Sequence, residues 1–223
     1  MAETSKVYSY ASAIAQATLS RRFNVQVCGE ENIPLEGPCI IAPNHIKLVD
    51  PYILLGWVTR QQLSFLNRYD HKATPSLELL QQIRMLGTRA LGGVMIDRTE
   101  PGSKVTKLWQ YLPQPSKRNE AFISLKKKLV EGRAVCIFPQ GERNLVQKNL
   151  KSGIAYLALD KEIGPIPTIP VGLSDSEKLT MSSVNVQINI GEPFLAIGDA
   201  GIKEDRQELL SFLSDSIFSL TRD

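Results

Sequence analysis

Short apolar runs recur along this chain, at residues 39–42 and 134–138, each closed by a proline, and at residues 166–173, spaced by two. Runs of this size suit strands buried on both faces, and none approaches the roughly 18 to 20 apolar residues that span a bilayer. Residues 24–28, 63–66, 92–96 and 184–190 read as further strands, and residues 7–23, 51–59, 76–86, 121–131, 149–159 and 204–220 carry apolar residues at helical spacing. Gly87 and Gly132 sit where helices stop, Gly153 interrupts a helical pattern, and Pro43 is expected to end the first strand's ladder. Residues 99–120, rich in proline and polar residues, read as a loop with an apolar tip at Trp109, Tyr111 and Leu112. Strands alternating with helices specify an α/β fold, a buried sheet flanked by helices, and no internal repeat competes with it.

A chain of 223 residues, 43% of them hydrophobic, has the material for one core of ordinary size. We divide it into an N-terminal amphipathic segment, residues 1–23, and a single domain, residues 24–223. The segment places Val7, Tyr10, Ala11, Ile14, Ala17 and Leu19 near one helical stripe before the basic pair Arg21 and Arg22. Such a helix either lies on a lipid interface or packs on its own domain. A net charge of +3 is too mild for a nucleic-acid partner but suits anionic lipid or anionic substrates. Cys28, Cys39 and Cys136 lie in or beside apolar runs without metal-ligand spacing, and read as buried thiols in a reducing cytosol. With no leader and no spanning run, the chain is expected to stay on one side of a membrane.

One position carries reactive chemistry. His45 leaves the strand at residues 39–42, and Asp50 follows five residues later, placed before Pro51 as the N-cap of the next helix. A tight turn can bring that carboxylate onto Nδ1, fixing the tautomer and stabilising the imidazolium while Nε2 acts as a base. A structural histidine held by a neighbour fits the same spacing. No GxSxG elbow exists, because the run from Gly172 to Ser176 lacks its final glycine, so the nucleophile must come from a substrate.

Four blocks in one order widen this reading. Asn44-His45-(x)4-Asp50-Pro51 is the first, the run Gly92 to Arg98 the second, Phe138-Pro139-Gln140-Gly141-Glu142-Arg143 the third, and the proline-rich run Ile166 to Val171 the fourth. Over roughly residues 25 to 220 the chain resembles the glycerolipid acyltransferases of the lysophosphatidate acyltransferase type. That resemblance implies a mixed, largely parallel sheet flanked by helices. It implies transfer of a fatty acyl group from acyl-CoA or acyl carrier protein to a hydroxyl of a lysophospholipid such as 1-acylglycerol-3-phosphate, with no cofactor and no metal; the alternatives are the same chemistry on a glycolipid or natural-product alcohol, or a catalytically idle lipid-binding protein that keeps the fold. His45 and Asp50 would be catalytic, Arg98 and Arg143 would hold the acceptor's phosphate through forked guanidinium groups, and Asn44, Gln140, Gly141, Glu142 and Pro170 would complete the substrate site. Backbone amides of residues 139–143 would receive the oxyanion. The enzyme would work peripherally at the cytoplasmic membrane face.

This sequence departs from the family pattern in the third block, where Gln140 replaces a glutamate and Glu142 a threonine. An amide keeps an acceptor oxygen and loses the charge. A carboxylate beside Arg143 partly neutralises a phosphate site. Lys47 stands where serine is common, either touching a phosphate, lowering the basicity of His45 or simply solvated. In the 99–120 loop, Trp109 and Tyr111 among Lys104, Lys107, Lys117 and Arg118 suit an anionic interface, and equally a loop folded on its domain. Lys126 to Lys128 reads as a solvated helix face and His71 as a surface residue.

Overall fold

The computed structural model describes residues 6–58, 62–69, 87–97, 118–143, 149–174 and 184–221. The expected helix at 76–86, Arg98, His71 and the loop tip at 109–112 lie outside the described residues. Among the described residues, eight strands form the sheet: β1 (Phe23–Cys28), β2 (Cys39–Pro43), β3 (Leu63–Tyr69), β4 (Val94–Asp97), β5 (Ala134–Cys136), β6 (Pro167–Ser174), β7 (Val184–Ile190) and β8 (Phe194–Leu195). Their order is β1-β7-β6-β2-β5-β3-β4, with β8 paired to β6 off this path. β1 runs parallel to β7, β2 to β5 and β6, and β3 to β4 and β5, whereas β6 is antiparallel to β7 and β8. The sheet is therefore mixed and largely parallel, as the resemblance implied.

Helices cover both faces: α1 (Lys6–Leu19) and α2 (Asp50–Trp57) on one, α3 (Arg118–Val130), α4 (Gly153–Ala158) and α5 (Lys203–Ser219) on the other. The period-two alternation of β2 sorts its side chains between these layers. Cys39 and Ile41 pack with Ile53 and Leu54 of α2, while Ile40 and Ala42 pack with Leu125, Ile154 and Leu213. All five residues of β2 are buried, which explains why the run carries no polar side chain.

Pro43 does not end the ladder. It pairs opposite Val171 of β6, and the Asn44 N–H still donates to the Val171 carbonyl at 3.2 Å. Residues alternate between neighbours: Ile41 faces β5, its carbonyl accepting the Ile137 N–H, so Pro43 directs its missing donor to the side where β5 has already stopped. Gly153 is likewise no interruption, because α4 begins there; a Cβ on it would stand 2.6 Å from the Phe122 ring. Burial of Cys39 and Cys136 matches the reading of their runs, but Cys28 is exposed, at the end of edge strand β1, where outward positions alternate with inward ones.

α1 packs on its own domain. Tyr8, Ala11, Ala15 and Leu19 face the core, the buried Tyr8 hydroxyl accepts the Leu63 N–H at 3.1 Å, and Gly56 lets α2 approach so closely that a Cβ there would lie 3.2 Å from the Gln16 nitrogen. The stripe read from the sequence splits in two, since Val7, Tyr10 and Ile14 point outward and are each more than half exposed.

Candidate active site

The site grows from the carboxyl end of β2. One residue beyond the strand, the Asn44 side chain accepts the Leu173 N–H at 2.6 Å and donates to the Leu173 carbonyl at 2.9 Å. A side-chain amide presents a donor and an acceptor as a peptide does, so Asn44 continues the β2–β6 pairing after the backbone has left it. The chain then turns, and Asp50 opens α2.

Asp50 does not cap that helix. The residue at the N-cap is Val49, and no side chain caps the helix there. The carboxylate instead reaches back into the turn, where one oxygen, Oδ2, accepts the Ile46 N–H at 2.6 Å, the Lys47 N–H at 2.7 Å and lies 2.9 Å from Nδ1 of His45. Three convergent donors stabilise a buried anion better than one helix amide. Asp50 is 0% exposed, and its Oδ1 has no hydrogen-bond partner among the described residues. Because the carboxylate holds Nδ1 as the N–H, Nε2 is the basic nitrogen.

A second segment closes on the ring from the other side. After β5 the chain turns at residues 138–141, with the Gly141 N–H on the Phe138 carbonyl at 3.1 Å and Gly141 at φ 72, a left-handed conformation that glycine adopts without strain. The Phe138 ring lies 4.3 Å from the imidazole centroid, tilted by 33°. Gln140, fully buried, accepts the His45 N–H on Oε1 at 2.5 Å.

The His45 side chain, 17% exposed, borders a cleft of about 590 Å³. Its walls are apolar along Leu55, Phe65, Leu66, Leu91, Ile96 and Ile137, and Gly141, Glu142 and Arg143 stand on its rim. Arg143 also borders an adjoining hollow with Lys47 and Tyr52. Of the site residues expected from the sequence, His45, Gly141, Glu142 and Arg143 come together at the cleft, with Asp50 directly behind the ring. Asn44 and Gln140 are buried and engaged with backbone. Pro170 sits within β6 opposite Ala42 with its carbonyl on the Gly191 N–H, and Arg98 lies outside the described residues.

Sequence reasoning missed the polar pair Asn67 and Thr88, joined by a 3.0 Å hydrogen bond in the otherwise apolar wall. The available signal was an asparagine following the apolar residues of β3. No serine or cysteine lines the cleft among the described residues. Burial pushes the Cys39 thiol up to about 12 and Cys136 well above the ordinary thiol range, so both stay neutral and poorly nucleophilic. Gly172 belongs to no nucleophile elbow, since it lies within β6 with a Cβ position 2.6 Å from the Leu220 backbone.

The sheet, the strand-end histidine and the buried carboxylate define an α/β protein in which an imidazole held by a carboxylate borders an apolar cleft. The family model described as Acyltransferase matches residues 24–174, more than half of the chain, and the protein belongs to that family. It is 25% identical over 191 residues to the 1-acyl-sn-glycerol-3-phosphate acyltransferase of Bacillus subtilis (strain 168), covering 84% of this chain and 82% of the relative. In fold it is similar to the crystal structure of the 1-acyl-sn-glycerophosphate (LPA) acyltransferase PlsC from Thermotoga maritima, with a TM-score of 0.62 and 20% identity over 96% of this chain and 79% of that one. The chain is thus an acyltransferase, and family membership implies an acyl donor and a lysolipid acceptor.

Proposed function

We propose that this acyltransferase moves a fatty acyl group from an acyl thioester, acyl-CoA or acyl carrier protein, to the free hydroxyl of a lysophospholipid such as 1-acylglycerol-3-phosphate. The observation that carries the proposal is the imidazole held through Nδ1 by Asp50 while bordering an apolar cleft with Arg143 on its rim. Nε2 takes the acceptor's hydroxyl proton as its oxygen attacks the thioester carbonyl, and Asp50 stabilises the imidazolium. The tetrahedral oxyanion collapses with loss of the thiolate, and the imidazolium returns the proton to that leaving group. Backbone amides of residues 139–143 are the candidate oxyanion donors. Arg143, with Arg98, supplies the guanidinium groups for an acceptor phosphate, and the apolar walls suit acyl chains.

A second acceptor class, a glycolipid or other non-phosphatidate alcohol, is favoured by one observation: Glu142 stands on the same rim as Arg143. Incubating the purified enzyme with mixed acyl-CoA and acyl carrier protein donors against a total lipid extract, with products identified by mass, separates the two. Phosphatidate, or another diacyl phospholipid formed from its lysolipid, supports the first class. On that class, Glu142→Thr is expected to lower KM for the phosphate acceptor by about tenfold, by removing a carboxylate from the phosphate's vicinity. An unchanged KM removes Glu142 from acceptor selection.

The same reading places the enzyme at the cytoplasmic membrane face. No helix among the described residues is long and apolar enough to cross a membrane. The outward stripe of Val7, Tyr10 and Ile14, on a helix without acidic residues and followed by exposed Arg21 and Arg22, suits an anionic interface. Ile14→Glu is expected to weaken binding to vesicles containing anionic lipid by about tenfold, through lost apolar burial and charge repulsion, while melting temperature stays within ~2 °C because Ile14 faces outward. Equal sedimentation of variant and wild type with vesicles refutes this contact.

A further inference from the structure

The Gln140 side chain is fully buried, and its oxygen lies 2.5 Å from the His45 backbone nitrogen, which donates to it. It is carried by the turn whose Phe138 ring stacks on the imidazole at 4.3 Å. One turn therefore grips the histidine twice, at the ring and at the main chain. That turn is itself braced, by the Gly141 N–H on the Phe138 carbonyl and by the Lys151 N–H on the Pro139 carbonyl at 2.7 Å. Asp50 holds the ring at Nδ1. The Cα of His45 cannot shift relative to the cleft without stretching one of these contacts.

We infer that Gln140 is a positioning residue for His45, fixing the main chain that carries the base without contacting the acceptor, and that its neutrality keeps a second buried anion away from the histidine. The inference rests on His45 acting as the base. An amide oxygen and a carboxylate oxygen accept the same N–H, so the contact with His45 does not by itself call for glutamine. Charge separates them. Asp50 is already a buried anion against the ring, and a second carboxylate anchored at the His45 nitrogen would favour the imidazolium and delay release of the basic Nε2 until higher pH. Among the described residues, the other charged or titratable groups around the ring are Lys47 on the turn, Tyr52 on α2, and Glu142 and Arg143 on the rim. Lys47 is half-buried and Tyr52, Glu142 and Arg143 are exposed, whereas position 140 is fully buried, so a charge placed there is screened least.

The chain has two histidines, His45 and His71, which makes the ring directly observable. Nitrogen-edited NMR of the imidazoles in the folded protein, assigned with a His71→Gln variant, reads the His45 titration without reference to turnover. Gln140→Glu is expected to raise the His45 midpoint by about one pH unit, with the acid limb of kcat moving up by the same amount. Gln140→Met removes the acceptor oxygen at similar volume and is expected to lower kcat by about tenfold through misplacement of the base, with acceptor KM within about twofold of wild type. A midpoint unchanged in Gln140→Glu overturns the inference, as does a Gln140→Met enzyme with raised acceptor KM and intact kcat. Should His45→Ala retain wild-type transfer while the NMR midpoint moves as expected, the reading of His45 as base fails and the positioning geometry stands.

Discussion

His45→Ala is expected to lower turnover by about 10²–10⁴-fold, the range that a positioned general base contributes, while the protein stays folded. The two halves of this expectation have separate structural causes. The ring supplies Nε2 to the cleft, and no serine, cysteine or second histidine lines that cleft among the described residues to replace it. The backbone contacts of the position do not depend on the ring: the His45 N–H remains on Gln140, and Asp50 keeps the Ile46 and Lys47 amides. Steady-state transfer measured beside a thermal melt checks both. Near wild-type rates would sink the assignment of the base, whereas lost activity with a collapsed melt would show that the ring is structural.

Asp50→Asn is expected to have the next largest effect, and of a different kind. The amide oxygen can still receive the three donors gathered at Oδ2, which places the NH₂ at the Oδ1 position, where the described residues offer no partner. A buried donor without an acceptor costs about 1–3 kcal/mol, so the melting temperature falls. Removing the anion also withdraws the charge that stabilises imidazolium, lowering kcat by about 10²-fold. The sign on pH follows: with less negative charge beside it the ring binds its proton more weakly, and the acid limb of the rate profile moves to lower pH. A limb that stays in place, or moves up, would show that Asp50 does not set the ring's basicity. Together with Gln140→Glu, which moves the limb the other way, this variant tests whether the charge around His45 is set from beneath the ring.

Much of the architecture was legible locally. β7 occupies the residues expected from their alternation, β1 and β2 are each longer by one residue at one end, and β6 is displaced by one residue at both ends. Boundaries drifted where tertiary contacts took over. The helical pattern at 149–159 contracted to the six residues of α4, which begins where Gly153 meets Phe122, and the run 134–138 contracted to β5. α1 looked single-faced because one dimension of sequence does not say which neighbour a stripe meets; α2 approached α1 at Ala15 and Gln16 through Gly56, Tyr8 turned inward to Leu63, and Ile14 was left outside.

The site divides the same way. His45 and Asp50 are five residues apart on one turn, so their pairing at 2.9 Å is a short-range fact that spacing and residue type determine. Spacing did not decide what the carboxylate would do there: Asp50 was expected to cap α2, and the convergence of two backbone amides with the ring turned it back. The contact between His45 and Gln140 spans 95 positions, and that between Asn44 and Leu173 spans 129. Both exist because β2 lies between β5 and β6, an order set by how the whole sheet buries its apolar faces and by no local pattern. The sequence by itself determined that His45 and Asp50 would meet, and which family the chain belongs to. Only the tertiary structure decided what holds that pair in place, because the residues that grip it arrive on neighbouring strands.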